Sequence, residues 1–192
     1  MLSAKEIIGI LAAGMGLAGG VFYLWQIYRR RIKPHVFSWI IWGTLMFIGF
    51  AAQYAEAAGP GLWSLGVSAL IAFIIAGASF FYGEKSITRS DWATFLIAIS
   101  AIPVWIATSN PLWAVVIISI IDALAFYPTF RKSWLRPGEE GLFAFSMCGM
   151  QMLLSIFALE KFTLTTVLYP AVVFALNFLL VPMLLYRRRA LA

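Results

Sequence analysis

Asp122 is the residue in this sequence best placed to do chemistry. It lies about eleven residues into the run 111–130, within VVIISIIDALAFYP, where no close neighbour is charged. A charged side chain at the middle of a bilayer costs about 3 kcal/mol or more unless it is paired or wetted. Burial disfavours the ionised form, which suits a carboxyl that takes up and releases a proton or holds a cation. The plainer alternative is a protonated Asp hydrogen-bonded to a neighbouring helix. Asn177 interrupts VVFALNFLLVP in the same way. Its amide carries four hydrogen-bonding sites that need partners in hydrocarbon, supplied by a ligand or by another helix. Gln53 and Gln151 raise the same choice in two further apolar runs, with Trp39, Trp42 and Tyr54 near Gln53 in sequence. Trp42, and Tyr127 farther along, offer rings that can stack on a flat or sugar-like ligand, although Trp and Tyr also collect at bilayer interfaces for their own reasons. Pro128 removes one helical hydrogen bond and is a candidate hinge, or a static kink.

Other chemistries lack their residues. His35 is the only histidine and Cys148 the only cysteine, so no disulfide, cysteine-rich metal site or histidine cluster can form within one chain. No zinc-binding pair, nucleophile elbow, P-loop or GxGxxG fingerprint is present. The expectation is a protein without cofactor or metal, and not an enzyme.

These side chains must be held by elements that are overwhelmingly apolar. Hydrophobic residues make up 62% of the 192, charged residues only 11%, and mean hydropathy is +0.91. A soluble domain has roughly a quarter of its residues charged, so the excess apolar surface here must face lipid. Seven apolar runs can be drawn, near 7–28, 35–57, 62–83, 91–108, 111–130, 140–159 and 163–186. Each is close to the ~20 residues a helix needs to cross hydrocarbon, and none alternates with period two as a barrel strand would. The first run ends at Arg29-Arg30-Arg31, a stop-transfer pattern rather than a cleavage site. Ser90 and Asp91 read as N-cap and first turn of the fourth helix.

The net charge of +6 sits in clusters at the ends of runs, which argues for membrane topology rather than nucleic acid. Arg29, Arg30, Arg31, Lys33, Lys85, Arg89, Arg131, Lys132, Arg136, Arg187, Arg188 and Arg189 fall on one side, and only Lys5 and Lys161 on the other. Positive residues stay in the cytoplasm, so the N-terminus is expected outside and the C-terminus inside, in the inner (plasma) membrane of a bacterium. The remaining charged loop residues, with His35 and Glu139 among them, read as solvated.

The chain also repeats. A shift of 103 pairs Arg29 with Lys132, Lys33 with Arg136 and Pro34 with Pro137; a shift of 104 pairs Glu56 with Glu160 and Tyr82 with Tyr186. Residues 7–83 and 111–186 are then two three-helix units, with 91–108 as a linker helix. One extra helix between them gives both units the same orientation, related by an axis along the membrane normal.

Two places carry a family resemblance. Tyr127-Pro128-Thr129 is followed by Arg131-Lys132-Ser133 and Glu140-Gly141-Leu142; Leu24-Trp25-Gln26 is followed by Tyr28-Arg29-Arg30 and Ser38-Trp39. With the three-plus-one-plus-three layout, this resembles the PQ-loop superfamily of SWEET sugar transporters, bacterial SemiSWEETs and lysosomal amino-acid exporters. The first copy has Gln26 without a proline and the second Pro128 without a glutamine, so a divergent branch is implied. The resemblance implies a coupling role for Asp122 and a substrate contact for Asn177. The position opposite Asn177 in the first half, near Phe73, is apolar, which departs from a symmetric asparagine pair. Vitamin transporters of the nicotinamide-riboside type share the architecture in the opposite orientation, against the charge distribution.

The sequence therefore reads as an all-α polytopic membrane protein, one membrane domain over 1–192. The function expected is transport or facilitated passage of a small polar solute (a sugar, amino acid or vitamin-like molecule) by alternating access. Asp122 is expected as proton or cation site, Asn177, Trp42, Gln53, Gln151 and Tyr127 as ligand contacts, and Pro128 as hinge. The cavity is expected among helices 1, 2, 5, 6 and 7. Its partners are the solute and the bilayer, and self-association is compatible with this. The alternative class is a membrane receptor or scaffold whose basic loops bind anionic lipid or a cytoplasmic partner. A transporter needs a polar path past Asp122, whereas a scaffold would have a dry, packed midplane.

Overall fold

A computed structural model describes residues 2–31, 34, 36–83, 110–135, 137–139 and 141–191, with eight more between 89 and 107; the side chains of 37, 127–129, 131, 132 and 139 are outside the described set. The described chain is all helical. Its helices are α1 (Ala4–Tyr28), α2 (Val36–Ala55), α3 (Leu62–Tyr82), α5 (Pro111–Leu135), α6 (Leu142–Phe157) and α7 (Leu164–Ala190). Between α3 and α5 lies α4, of which Arg89, Trp92, Ala93, Leu96, Ile97, Ser100, Pro103 and Ala107 are described, each helical and exposed. Ser90 and Asp91, expected to cap it, and His35 lie outside the described residues.

The helices start and stop for local reasons. Ser3 opens α1 with a capping box: its hydroxyl accepts from the Glu6 amide at 3.2 Å and the Glu6 carboxylate accepts from the Ser3 amide at 2.7 Å, satisfying two donors that the first turn leaves free. Thr163 and Thr166 do the same for α7. At the end of α1 the Arg31 amide reaches the Gln26 carbonyl and the Arg30 amide the Ile27 carbonyl, with Arg30 left-handed at φ 54°. This is a Schellman stop made without glycine. Ala57, at φ 51°, ends α2 by the same pattern. Helices α5 and α7 run past their apolar segments, to Leu135 and Ala190. Their Arg and Lys residues are good helix formers and suit the negative end of the helix dipole.

By length and composition α1, Gly59–Tyr82 and α7 can each cross a membrane, while Pro111–Phe126 and Leu142–Phe157 are shorter apolar helices. Large apolar side chains stand exposed around the molecule, among them Leu70, Phe80, Phe81, Leu124, Phe178 and Leu179. Exposed apolar side chains in such number suit a surface that meets lipid. The helix lengths and apolar composition are those of a helical membrane protein.

The packing has a regular pattern. Helix α3 packs against both α1 and α2, and α7 against both α5 and α6, while α1–α2 and α5–α6 make no substantial contact among the described residues. The halves meet through α1 on α6 and α2 on α5, with lesser contacts of α3 on α6 and α2 on α7. Exchanging α1, α2, α3 for α5, α6, α7 leaves this set of contacts unchanged.

Both ends are identifiable. At one, the Arg30 guanidinium lies 5.3 Å from the Tyr82 ring, and Arg187 lies 4.6 Å from the Trp134 ring while donating to the Trp134 carbonyl at 2.9 Å. Arg188 donates to the Pro137 carbonyl at 3.0 Å. At the other end Lys5 donates to the Leu159 carbonyl at 2.7 Å, and the Glu160 amide to the Ala58 carbonyl at 2.8 Å. The arginine clusters of α1 and α7 thus share one end, called here the basic end.

The buried core follows this polarity. One cluster joins the halves toward the opposite end: Leu45, Ile48, Leu65, Val115, Ile118, Met152 and Tyr169 are among its members. Toward the basic end the core divides in two. Ile27, Ile71 and Ile75 form one part, and Phe126, Leu180 and Leu184 the other.

Candidate functional site

A cavity of about 280 Å³ occupies the space where the core divides, at the small end of the roughly 300–1,000 Å³ typical of small-molecule sites. Its lining runs from Gly141, Tyr23 and Trp39 near the basic end down to Gln151 and Ser68. Of the residues singled out from sequence, Asp122, Asn177, Trp42 and Gln151 all line it. They come from four helices in both halves.

Asp122 is buried, at 2% exposure. Ser119 and Phe126 share its face of α5, three residues before and four after, but the Ser119 hydroxyl is spent on the Val115 carbonyl at 2.7 Å. The side chain that engages the carboxyl is the Trp42 indole, from the other half. Among the described residues, Asp122 Oδ1 has no hydrogen-bond partner. Cys148 shares the lining with it, and among the described residues no Lys, Arg or His lines the cavity.

Asn177 sits at 1% exposure. Its Nδ2 donates to the Val173 carbonyl at 2.8 Å and lies 3.8 Å from Cys148 Sγ. Oδ1 is unpartnered. Gly149 lets α6 approach this residue, since a Cβ there would stand 3.0 Å from Asn177 Cβ. Gln151 donates through Nε2 to Ser68 Oγ at 2.7 Å, and its Oε1 is also unpartnered. A methyl group on Gly16 would overlap the Gln151 amide, so the bare backbone of α1 makes room for it. Gly19 and Gly20 pack on Met147 and Ile71, whereas Gly14 has nothing within 4 Å.

The walls are aromatic on both sides. Tyr23 and Trp39 stand with ring centroids 4.7 Å apart, and Trp39 meets Trp42 edge-on at 5.3 Å. Phe126 and Phe145 face them from the second half, 6.3 Å apart.

Gln53 has a different position from the one expected. It is absent from the cavity lining and donates through Nε2 to the Thr166 carbonyl at 2.6 Å. Four residues after Thr166 comes Pro170, inside α7, which has no N–H to offer that carbonyl. Gln53 supplies the missing donor, so its amide is occupied by helix packing. The backbone of Tyr127 and Pro128 belongs to α5, but their side chains lie outside the described residues, and with them the ligand contact and the hinge. Phe73, opposite Asn177 by the repeat, packs on Gly43 away from the cavity.

The expected lining also needs α3 added to it. Ser68, Ile71, Ala72 and Ile75 line the cavity, because α3 packs between α1 and α2. Nothing in LGVSALIAF marks Ser68 as different from any helical serine. Pairing it with Gln151 requires knowing that α3 touches α6. Among the described residues no three His, Cys, Asp or Glu side chains gather as metal ligands. No protein-family model, curated protein or solved structure matches the chain.

Proposed function

We propose that this protein is a transporter or facilitator of a small polar solute, working by alternating access between two three-helix units. The observation that carries this reading is the cavity itself. It lies between the halves, near the middle of the helices, and holds a buried carboxyl with two buried amides whose oxygens have no partner. Unpartnered polar atoms in a dry interior cost about 1–3 kcal/mol each, and a bound solute or water recovers that. A scaffold or receptor would gain nothing from an open, polar-tipped midplane.

The units proposed are α1–α3 and α5–α7, with α4 as linker and all seven helices spanning. The exchange-invariant contacts support a duplicated unit, because two related units meeting about an axis must make every contact twice. The grouping of arginines at one end supports an external N-terminus and a cytoplasmic C-terminus in a bacterial plasma membrane. The cavity then faces the cytoplasm. In this reading the PQ-loop resemblance concerns architecture, with Asp122 as coupling site and Asn177, Trp42 and Gln151 as ligand contacts.

The test is flux into proteoliposomes driven by a pH jump, with wild type beside Asp122→Asn, using a panel of neutral, cationic and anionic solutes. The amide is nearly isosteric with the protonated acid, so the variant should fold and lose the response to the pH gradient. Unchanged, pH-dependent flux in Asp122→Asn would show that the proton is carried elsewhere. No flux of any panel member by wild type would remove the transport reading.

A further inference from the structure

From the polar atoms of the cavity we infer that its ligand is a protonated primary amine on a small aromatic or aliphatic body. This rests on the reading above only in taking the cavity as a ligand site. Asn177 cannot be turned round: its nitrogen faces the Val173 carbonyl at 2.8 Å, and a carbonyl only accepts. Its free Oδ1 is therefore an acceptor, and so is the free Oδ1 of ionised Asp122. Gln151 is adaptable, because the Ser68 hydroxyl it meets can donate or accept. The two fixed groups both ask for N–H or O–H donors, and one of them asks for positive charge.

Charge narrows the class further. Among the described residues no Lys, Arg or His lines the cavity, and a carboxylate or phosphate seated beside the Asp122 carboxylate without a counter-charge is strongly unfavourable. Beside the Asp122 carboxylate, this counts against organic anions, and against zwitterionic amino acids for their carboxyl end. A sugar brings many hydroxyls to a cavity with few polar atoms, leaving most of them unpaired. A quaternary ammonium carries the charge but no N–H for Asn177. An ammonium group carries both the charge and the N–H donors that these acceptors ask for, and rings lining the cavity favour a cation through their π faces. Tyr23, Trp39, Trp42, Phe126 and Phe145 leave an apolar enclosure for the remainder of the molecule.

The experiment is equilibrium dialysis of the full chain in lipid nanodiscs, with empty nanodiscs subtracted. The probes are radiolabelled 2-phenylethylamine, its neutral isostere 2-phenylethanol, and phenylacetate. The amine should bind saturably and at least tenfold more tightly than the alcohol, and phenylacetate should not bind. Tenfold corresponds to about 1.4 kcal/mol. Asp122→Asn should reduce amine binding at least tenfold. Equal binding of the alcohol or of phenylacetate overturns the inference, as does no saturable amine binding up to millimolar concentration. Amine binding unaltered in a folded Asp122→Asn protein also overturns it. If that variant does not fold, the selectivity of wild type among the three probes decides alone. Flux of the same probes separates the two claims: binding of the amine without its transport leaves the ligand class standing and removes transport. Flux of phenylethanol in preference to the amine does the reverse.

Discussion

The hydrogen bond from Gln53 to the Thr166 carbonyl makes a quantitative demand on this structure. The carbonyl is orphaned by Pro170, and both partner residues are buried, Gln53 at 1% exposure and Thr166 at 0%. Gln53→Leu keeps the volume and removes the donor, so the carbonyl is left dry and unpaired at a cost of about 1–3 kcal/mol. The expected loss lies in the lower half of that range, because Gln53 Oε1 is itself unpartnered and its removal offsets part of the penalty. Pro170→Ala restores an N–H at the position that reaches Thr166. In that background Gln53→Leu should cost little, giving a coupling energy of about 1–2 kcal/mol. Reversible unfolding of all four proteins in mixed micelles, followed by tryptophan fluorescence, closes the double-mutant cycle. A Gln53→Leu cost that agrees between the two backgrounds within about 0.3 kcal/mol would refute the reasoning.

Two further outcomes are expected. Reporters fused after Arg189 should be cytoplasmic and those inserted in the 57–61 loop external; a cytoplasmic 57–61 loop would reverse the assignment of the basic end. Gly14→Ala, with open space around it, should raise stability by up to about 1 kcal/mol through helix propensity. Gly9→Ala, whose Cβ would lie 2.8 Å from both the Cβ and the carbonyl oxygen of Pro60, should lower it by about 1–3 kcal/mol, and equal melting temperatures for the two variants would count against the packing of α1 on the α2–α3 turn.

What was legible in the sequence was whatever a single helix decides for itself. Continuous apolar runs gave the helices within a few residues, since a bilayer demands length and tolerates little else. Asp122 and Asn177 stood out because a polar group in such a run must find a use, and both line the cavity. The stops at Arg30 and Ala57 were hidden, because each takes a left-handed conformation that sequence reasoning reserves for glycine. The role of Gln53 was hidden for another reason. It depends on a proline more than a hundred residues away, and only the contact of α2 with α7 brings the two together. Ser68 belongs to the same class: its chemistry is a property of the α3–α6 contact and of no stretch of sequence.

The distribution of contacts along the membrane normal bears on how the proposed cycle would run. At the end away from the arginines, Gly9 packs on Pro60, and Gly61 abuts Leu159 and the Ser155 carbonyl. Lys5 and Glu160 bond across the halves there to Leu159 and Ala58, respectively, and the joint core cluster lies beneath. At the basic end the core is split and the cavity takes its place. Inside each unit, α3 packs on α1 and α2, and α7 on α5 and α6. Opening the far side therefore requires separating Gly61 from α6 and breaking the cross-half hydrogen bonds of Lys5, Glu160 and Gln53, while each unit moves as a body. The Trp42 indole and the Asp122 carboxyl face each other from opposite units at mid-depth, close to where such a motion would pivot. A ligand that takes the Asp122 carboxyl from Trp42 acts on a polar contact shared by both units, as is the Gln151–Ser68 hydrogen bond below it, and so couples binding to the closed end.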